Sequence, residues 1–262
     1  MKLFELYELE SWMVVYLAVL AFILGAVFGS FLNCAAYRIS RKQSFLKGRS
    51  VCPKCNHTLH ILDLIPIFSF LFSKGKCRYC GEKISIRYPL TEVLFGSLTL
   101  LLFFKDGVSL LFLRDFVWFC CLFCLSLVDF EIFEIPDGTI LISILAWVLT
   151  IPFLQMGWPY IIEHVAAGLV FGVGFLVVSI ALDHILKKES LGGGDIKLFF
   201  VIGLYLGTVA GLFCVILSAF LGLIFGRGKE RIPFGPFISM GAVVMYVFGS
   251  PLVDWYLRLL NI

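Results

Sequence analysis

The 262-residue chain is 60% hydrophobic and only 15% charged, whereas an ordinary globular domain has roughly 25% charged residues. Its mean hydropathy is +1.00. A soluble domain of this size could not bury so much apolar surface, so the composition predicts a membrane protein. It disfavours a disordered chain and a basic nucleic-acid-binding domain, since the net charge is only +3. Nine cysteines are an odd number, so a fully paired disulfide scaffold is also disfavoured.

Apolar runs along the chain predict an all-α polytopic membrane protein with about eight transmembrane helices. Six runs lie at about 12–36, 90–104, 115–128, 139–156, 160–182 and 234–248. The apolar stretch Ile196–Phe225 covers 30 residues, which is too long for one span of about 20 residues. Because Gly203, Gly207 and Gly211 lie in its middle, we expect a tight turn there that divides it into two short helices.

The basic residues predict the orientation. Eleven of the 21 Lys and Arg residues follow the first run, within residues 38–87. Others follow the run at 160–182 (Lys187, Lys188), begin the stretch Ile196–Phe225 (Lys197) and follow that stretch (Arg227, Lys229, Arg231). Positively charged loops stay in the cytoplasm. With eight spans, every one of these loops is cytoplasmic and both termini lie outside.

The largest polar segment, residues 37–88, predicts a cytoplasmic domain between a first helix (residues 1–36) and a membrane bundle (residues 89–262). It contains Cys52-Pro-Lys-Cys55 and Cys77-Arg-Tyr-Cys80, separated by 21 residues. Four thiolates in this pattern can bind one zinc tetrahedrally, and a site closed by four protein ligands is structural rather than catalytic. Two disulfides or four free thiols are the alternatives, although a reducing cytoplasm opposes disulfides.

Between these two cysteine pairs, residues 59–72 are apolar but are interrupted by His60, Asp63 and Pro66. This segment is too short to span a membrane. It lies on the membrane surface, packs on the ends of the helices, or forms a small hydrophobic core of the zinc domain.

Two carboxylates are expected at the cytoplasmic edge of the membrane. Asp129 ends the third apolar run, and Asp195 follows Gly192-Gly193-Gly194 just before the stretch Ile196–Phe225. Carboxylates at membrane depth are candidate functional residues. If the two face each other they share one proton, so that one accepts a proton from water while the other polarises a peptide carbonyl. That is the chemistry of an aspartyl protease. The glycines would let the backbone pass close to a substrate with φ > 0.

Simpler interpretations exist for four acidic residues in these segments. Asp195 could cap its helix, Asp137 could form a turn after Pro136, and Glu131 and Glu134 could be solvated charges at headgroup level. At the level of the whole chain, a transporter that relays protons through Asp129 and Asp195 and a non-catalytic scaffold with a zinc domain are the competing classes. Two carboxylates at one edge, rather than in the middle of spans, favour proteolysis.

These motifs together resemble the bacterial type IV prepilin peptidases, the leader peptidase/N-methyltransferases of pilus, type II secretion and competence systems. The family's elements occur in order, at Gly29–Asn33 with Tyr37-Arg38, the four cysteines, Ile86–Pro89 with Glu92, Asp129–Asp137, and Gly192–Lys197 with Ile232–Pro236. The pattern Gly192-x-Gly194-Asp195 is shared with presenilin-like intramembrane proteases, but the four-cysteine segment indicates the prepilin branch.

The resemblance implies that Asp129 and Asp195 are the catalytic pair. It implies cleavage of prepilins and pseudopilins after a glycine that ends a short basic leader, on the cytoplasmic side of the bacterial inner membrane. It also implies N-methylation of the new terminus from S-adenosylmethionine, although no Gly-rich nucleotide loop follows a strand here. Because the leaders are basic, we expect Glu131, Glu134 and Asp137 to bind their Lys and Arg side chains. Gly192–Gly194 are expected to contact the substrate through their backbone. Glu131 is one departure, since the family often has Asp there.

Overall fold

The computed structural model describes residues 2–4, 10–45, 48–187, 191–227 and 231–259. The chain folds as two compact units, Lys2–Phe112 and Leu113–Ile262. Three of the basic residues that were used to predict the orientation, Lys47, Lys188 and Lys229, lie outside the described residues.

The elements follow one another in this order: β1 (Lys2–Phe4), α1 (Ser11–Ile39), a 3-10 helix (Ile61–Leu64), α2 (Phe68–Phe72), α3 (Arg87–Asp106), β2 (Val108–Ser109), α4 (Leu110–Ile132), α5 (Asp137–Leu154), α6 (Trp158–Leu186), α7 (Gly193–Gly226), α8 (Gly235–Phe248) and α9 (Ser250–Leu259).

The first unit is built on the packing of α1 against α3. Gly29 of α1 lies so close to α3 that an added Cβ would be 2.9 Å from the backbone oxygen of Thr91. One turn further, the buried Asn33 donates a side-chain hydrogen bond to the hydroxyl of Thr91 at 3.2 Å. Small residues let helices approach closely in lipid, and a short antiparallel pairing of β1 with β2 completes the unit.

The apolar segment between the cysteine pairs is not a hydrophobic core. Its large side chains are exposed, with Ile61 83% and Phe72 77% accessible. The interpretation of this segment as the core of a zinc domain is therefore wrong, because most of its large apolar side chains are exposed.

The second unit is a helix bundle around α4, the most deeply buried candidate span. Trp118 of α4 is fully buried and its ring stacks on Tyr205 of α7, with ring centroids 4.1 Å apart. Tyr246 of α8 meets the same ring edge-on at 5.7 Å. These aromatic contacts fix α7 and α8 against α4, and both of those helices begin beside the candidate site.

Helix α7 is one 34-residue element with a break at Gly207, where φ is 70° and ψ is −168°. Before the break, Gly203 packs on α6, where an added Cβ would be 2.5 Å from the backbone nitrogen of Gly168. After it, Gly211 packs on Phe171, further along α6, and later Gly222 approaches Phe234 just before α8. The chain therefore turns back at Gly207, as the predicted division into two short helices requires.

Two side chains of α6 bind the backbone groups that the break leaves without helical partners. Glu163 accepts the backbone N–H of Thr208 at 2.8 Å. His164 Nδ1 lies 2.8 Å from the backbone oxygen of Leu204. In lipid such groups must be satisfied within the protein, so this pair stabilises the turn.

Among the described residues, six helices are long and apolar enough to cross a membrane, or seven if the bent pair α8 and α9 counts as one span. The predicted polytopic helical architecture is thereby confirmed. The predicted number of eight is reached when the two halves of α7 are counted separately and α8 is included. The predicted domain boundaries at residues 36 and 88 remain predictions.

Candidate functional site

Asp129 lies one turn before the end of α4 and is 5% exposed. Its Oδ2 accepts the backbone N–H of Gly235 at 2.9 Å. Gly235 is the first residue of α8, where backbone N–H groups have no helical partner. The positive end of the α8 dipole therefore faces one oxygen of this carboxyl group.

Asp195 lies in the first turn of α7 and is partly buried. The N-cap is Gly192, so Asp195 is the third residue of the helix. Its carboxyl group is hydrogen-bonded to the backbone of Gly192, so Asp195 is not the N-cap residue but does help to cap the helix. The neighbouring Gly194 packs on Ile135, which also lies against Gly235, the residue that binds Asp129, so the structure brings together two acids that are 66 residues apart in sequence.

Ile135 connects the two carboxylate-bearing segments. A Cβ on Gly194 would be 2.8 Å from the Cβ of Ile135, and one on Gly235 would be 3.4 Å from its Cδ1. The loop between α4 and α5 thus packs against the start of both α7 and α8. Sequence reasoning missed Ile135 and the hydrogen bond from Gly235, although Gly235 lies within the motif Ile232–Pro236.

The three glycines before Asp195 do not have the predicted positive φ. Gly192 has φ −66° and ψ 139°, an ordinary extended N-cap, and Gly193 and Gly194 begin α7. Gly194 is instead required by its close contact with Ile135, whereas a Cβ on Gly193 would meet no atom within 4 Å. The prediction of a positive φ was wrong because glycine is needed at position 194 for its lack of a side chain, not for its backbone conformation.

The other predicted acidic residues lie around the same helix ends. Glu131 is partly exposed in the last turn of α4, and Glu134 is exposed in the following loop. Asp137 is the first residue of α5, and its Oδ1 is 2.7 Å from the Nζ of Lys197 in α7. Because both side chains are largely exposed, this ion pair is weak. The binding of a basic substrate by these acids remains a prediction.

The four cysteines Cys52, Cys55, Cys77 and Cys80 converge in the first unit. Their sulfur atoms all lie within 4.8 Å of one another, and none is in a disulfide. Bonds of about 2.3 Å to a tetrahedral zinc separate sulfurs by roughly 3.8 Å. The cluster thus has the donor set and nearly the spacing of a closed metal site, which confirms the predicted cluster at the coarser level of a metal-binding group.

Each cysteine pair lies in an equivalent turn. The backbone N–H of Asn56 is bonded to the oxygen of Cys52 at 2.8 Å, and that of Gly81 to the oxygen of Cys77 at 2.9 Å. Asn56 and Gly81 have φ of 56° and 73°, in the left-handed region that Asn and Gly favour. Both residue types therefore suit this turn.

The protonation of the sulfurs is uneven. Hydrogen bonding from the backbone N–H of Cys55 lowers the pKa of Cys52 to about 7. For Cys80, the backbone N–H of Glu82 acts in the opposite direction, but desolvation and hydrogen bonds with the other three sulfurs raise the pKa to about 12. Close thiols cannot all be ionised without a cation, so a metal would be the natural counter-ion of this cluster.

Comparison with known proteins identifies the family. Residues 23–105 match the family described as bacterial peptidase A24 N-terminal domain. Residues 116–227 match the type IV leader peptidase family. No solved structure matches the chain.

Curated relatives cover nearly the whole chain. A protein of Bacillus subtilis named prepilin leader peptidase/N-methyltransferase is 35% identical over 249 residues, which are 91% of this chain and 97% of that protein. A Neisseria gonorrhoeae protein of the same name is 30% identical, over 91% of this chain and 94% of its own. An Escherichia coli protein named type 4 prepilin-like proteins leader peptide-processing enzyme is 30% identical, with 86% and 91% covered. The chain therefore belongs to the type IV leader peptidase family.

Proposed function

We propose that this member of the type IV leader peptidase family is a membrane-embedded aspartyl endopeptidase that removes the short basic leader of prepilins and pseudopilins. The observation that carries the proposal is the meeting of Asp129 and Asp195 at one end of the second unit, beside the first residues of α7 and α8. The names of the relatives supply the class of substrate.

The geometry supports unequal roles for the oxygens of Asp129. Because Gly235 binds Oδ2, we assign Oδ1 to the attacking water. In the reaction, an ionised carboxylate accepts a proton from water while the water oxygen bonds to the carbonyl carbon of the scissile peptide, and the protonated partner donates to the carbonyl oxygen. The C–N bond of the resulting diol then breaks as the amine nitrogen takes the proton that the first carboxylate accepted, and one diol hydroxyl returns its proton to the second carboxylate as the new C=O bond forms.

The position of the pair supports cleavage at the membrane edge. Asp129 is near the end of its helix and Asp195 near the start of its own, so neither lies where a proton path through the bilayer would need it. We propose that this edge faces the cytoplasm, which agrees with the basic residues that follow α1 and α7. Under this orientation the new N-terminus is released on the side where the leader was.

We propose further that the chain methylates the new N-terminal amine, because relatives are named N-methyltransferases. S-adenosylmethionine would supply the methyl group from its sulfonium centre. Among the described residues we assign none to this donor. We propose that the four cysteines hold one structural zinc, since a site closed by four cysteine ligands leaves no position for a reactive water.

The test is incubation of the purified full chain with a synthetic prepilin-like peptide and S-adenosylmethionine, followed by mass spectrometry. We expect cleavage after the last residue of the leader and a mass gain of one methyl group on the product. Asp129→Asn or Asp195→Asn should lower the cleavage rate by about 10²–10⁴-fold, since Asn cannot exchange a proton. The matched control is Asp254→Asn, because Asp254 is exposed on α9. Cleavage by either active-site variant at the rate of that control would refute the pair.

A further inference from the structure

The segment Ile61–Phe72, which joins the two cysteine pairs, presents a row of exposed apolar side chains. Its exposed members are Ile61, Leu62, Leu64, Ile65, Phe68, Leu71 and Phe72. Apolar patches of this kind mark a contact with another protein or with lipid. Two contacts of the segment determine where these side chains lie.

The first contact sets the depth of the segment. The backbone N–H of Ile67 donates to the Oε2 of Glu92 at 2.7 Å, and Glu92 is buried within the membrane-spanning helix α3. Glu92 lies five residues beyond Arg87, the first residue of that helix, which is about 7.5 Å along the helix axis. Apolar faces of interfacial helices are buried by about 5–10 Å. With Arg87 taken as the membrane edge, this distance places the middle of the segment at the depth of the acyl–headgroup boundary.

The second contact sets the orientation of the segment. Asp63, in the 3-10 helix, accepts hydrogen bonds from the hydroxyl of Tyr79 at 2.9 Å and from the backbone N–H of His60 at 3.1 Å. Arg78 lies 3.4 Å from the same carboxyl group, and the His57 ring stacks on Tyr79 with centroids 3.7 Å apart. The polar side of the segment is thus fastened to both cysteine pairs, which leaves the apolar side chains to face outward.

Basic side chains surround the apolar row. One exposed lysine, Lys54, lies within the first cysteine pair, and two more, Lys74 and Lys76, lie just before the second pair. Arg78, within the second pair, has a side chain that is 46% exposed. Lipid phosphates attract such residues at a bilayer surface. A loop that faces water would not need to expose Phe68, Leu71 and Phe72. A contact with a partner protein would not explain why the hydrogen bond to Glu92 holds the segment beside the start of α3.

We propose that the segment Ile61–Phe72 is an interfacial membrane anchor that inserts its apolar side chains into the bilayer and holds the four-cysteine cluster against the lipid surface. The lipid is bound through acyl chains at Phe68, Leu71 and Phe72 and through headgroup phosphates at the lysines. This docking is independent of the proposed peptidase chemistry, because no residue of the carboxylate site takes part in it.

The test measures the depth of single side chains in the full chain reconstituted into bilayers of phosphatidylglycerol and phosphatidylcholine. Phe68→p-acetylphenylalanine and Phe72→p-acetylphenylalanine each carry a ketoxime spin label, which avoids the native cysteines. The control site is Glu82→p-acetylphenylalanine, on the exposed turn of the second cysteine pair. Unchanged far-ultraviolet circular dichroism of each labelled chain shows that it has folded.

We expect the labels at 68 and 72 to be more accessible to oxygen than to a water-soluble nickel complex, at depths of about 5–10 Å. The label at 82 should show the reverse order. Equal nickel accessibility at all three sites would overturn the proposal in favour of a solvated loop. Shielding of 68 and 72 from both reagents would overturn it in favour of a protein-covered surface.

Discussion

Replacing Gly194 by alanine tests whether its close contact with Ile135 positions Asp195. The added Cβ would lie 2.8 Å from the Cβ of Ile135, and both atoms are attached directly to the backbone. Ordinary van der Waals contact begins at 3.4 Å, so the two segments must separate by at least 0.6 Å, the difference between these distances. Since Asp195 is the next residue, its carboxyl group must move with the start of α7.

A displacement of about 1 Å in an active site can cost about 10²-fold in rate. We therefore expect Gly194→Ala to lower kcat for a prepilin-like peptide by roughly ten- to a hundredfold. Overpacking costs about 1–3 kcal/mol, but alanine regains up to about 1 kcal/mol of helix propensity. The net loss of stability should be small enough for the variant to remain folded in the membrane.

Gly193→Ala is the matched control, because its Cβ would meet no atom within 4 Å. This variant should cleave at nearly the wild-type rate and be slightly more stable, since alanine is the better helix former. Initial rates measured over a range of peptide concentrations give kcat and KM for both. If Gly193→Ala lost as much activity as Gly194→Ala, contact with Ile135 would not be the reason for glycine, and close approach of the substrate backbone would be the better explanation.

Three further outcomes are expected. Cys80→Ser should lower the zinc content of the purified chain from about one per chain, as metal analysis can measure, because one of four ligands is lost. Glu134→Gln should raise KM for a peptide with a basic leader more than for one in which a leader Lys is Gln, and simple additivity of the two changes in a double-mutant cycle would refute contact. Glu163→Gln should lower the melting temperature by weakening the charge-assisted bond to Thr208, and an unchanged value would mean that the bond contributes little.

The sequence predicts those parts of the two sites that depend on local spacing. Each cysteine pair is four residues long and forms a local turn with neighbours such as Gly81. Two such pairs are the pattern of a four-thiolate metal site, so their convergence could be predicted from the sequence. For Asp129 and Asp195, the sequence could predict only that both lie at the same depth in the membrane, because both lie at helix ends. Which faces of those helices meet depends on packing across 66 residues of sequence.

Contacts between distant segments could not be predicted. The hydrogen bond from Gly235 to Asp129 joins residues 106 apart, and the ion pair of Lys197 with Asp137 joins residues 60 apart. Nothing near Ile135 in the sequence marks it as the residue that touches both Gly194 and Gly235. The residues between the cysteine pairs were equally ambiguous, because an apolar run has the same composition whether it faces a protein core or lipid.

Glycine spacing carries more information about this bundle than hydrophobicity does. In lipid the apolar surface of a helix gains little by facing another helix, so close packing at small residues selects the partners. Gly203, Gly207 and Gly211 recur every fourth residue, a pattern that predicts a turn. Only Gly207 has a turn conformation, with φ 70°. Gly203 and Gly211 are contact points with α6 on either side of it, so the same four-residue spacing both breaks α7 and fixes where its two halves pack.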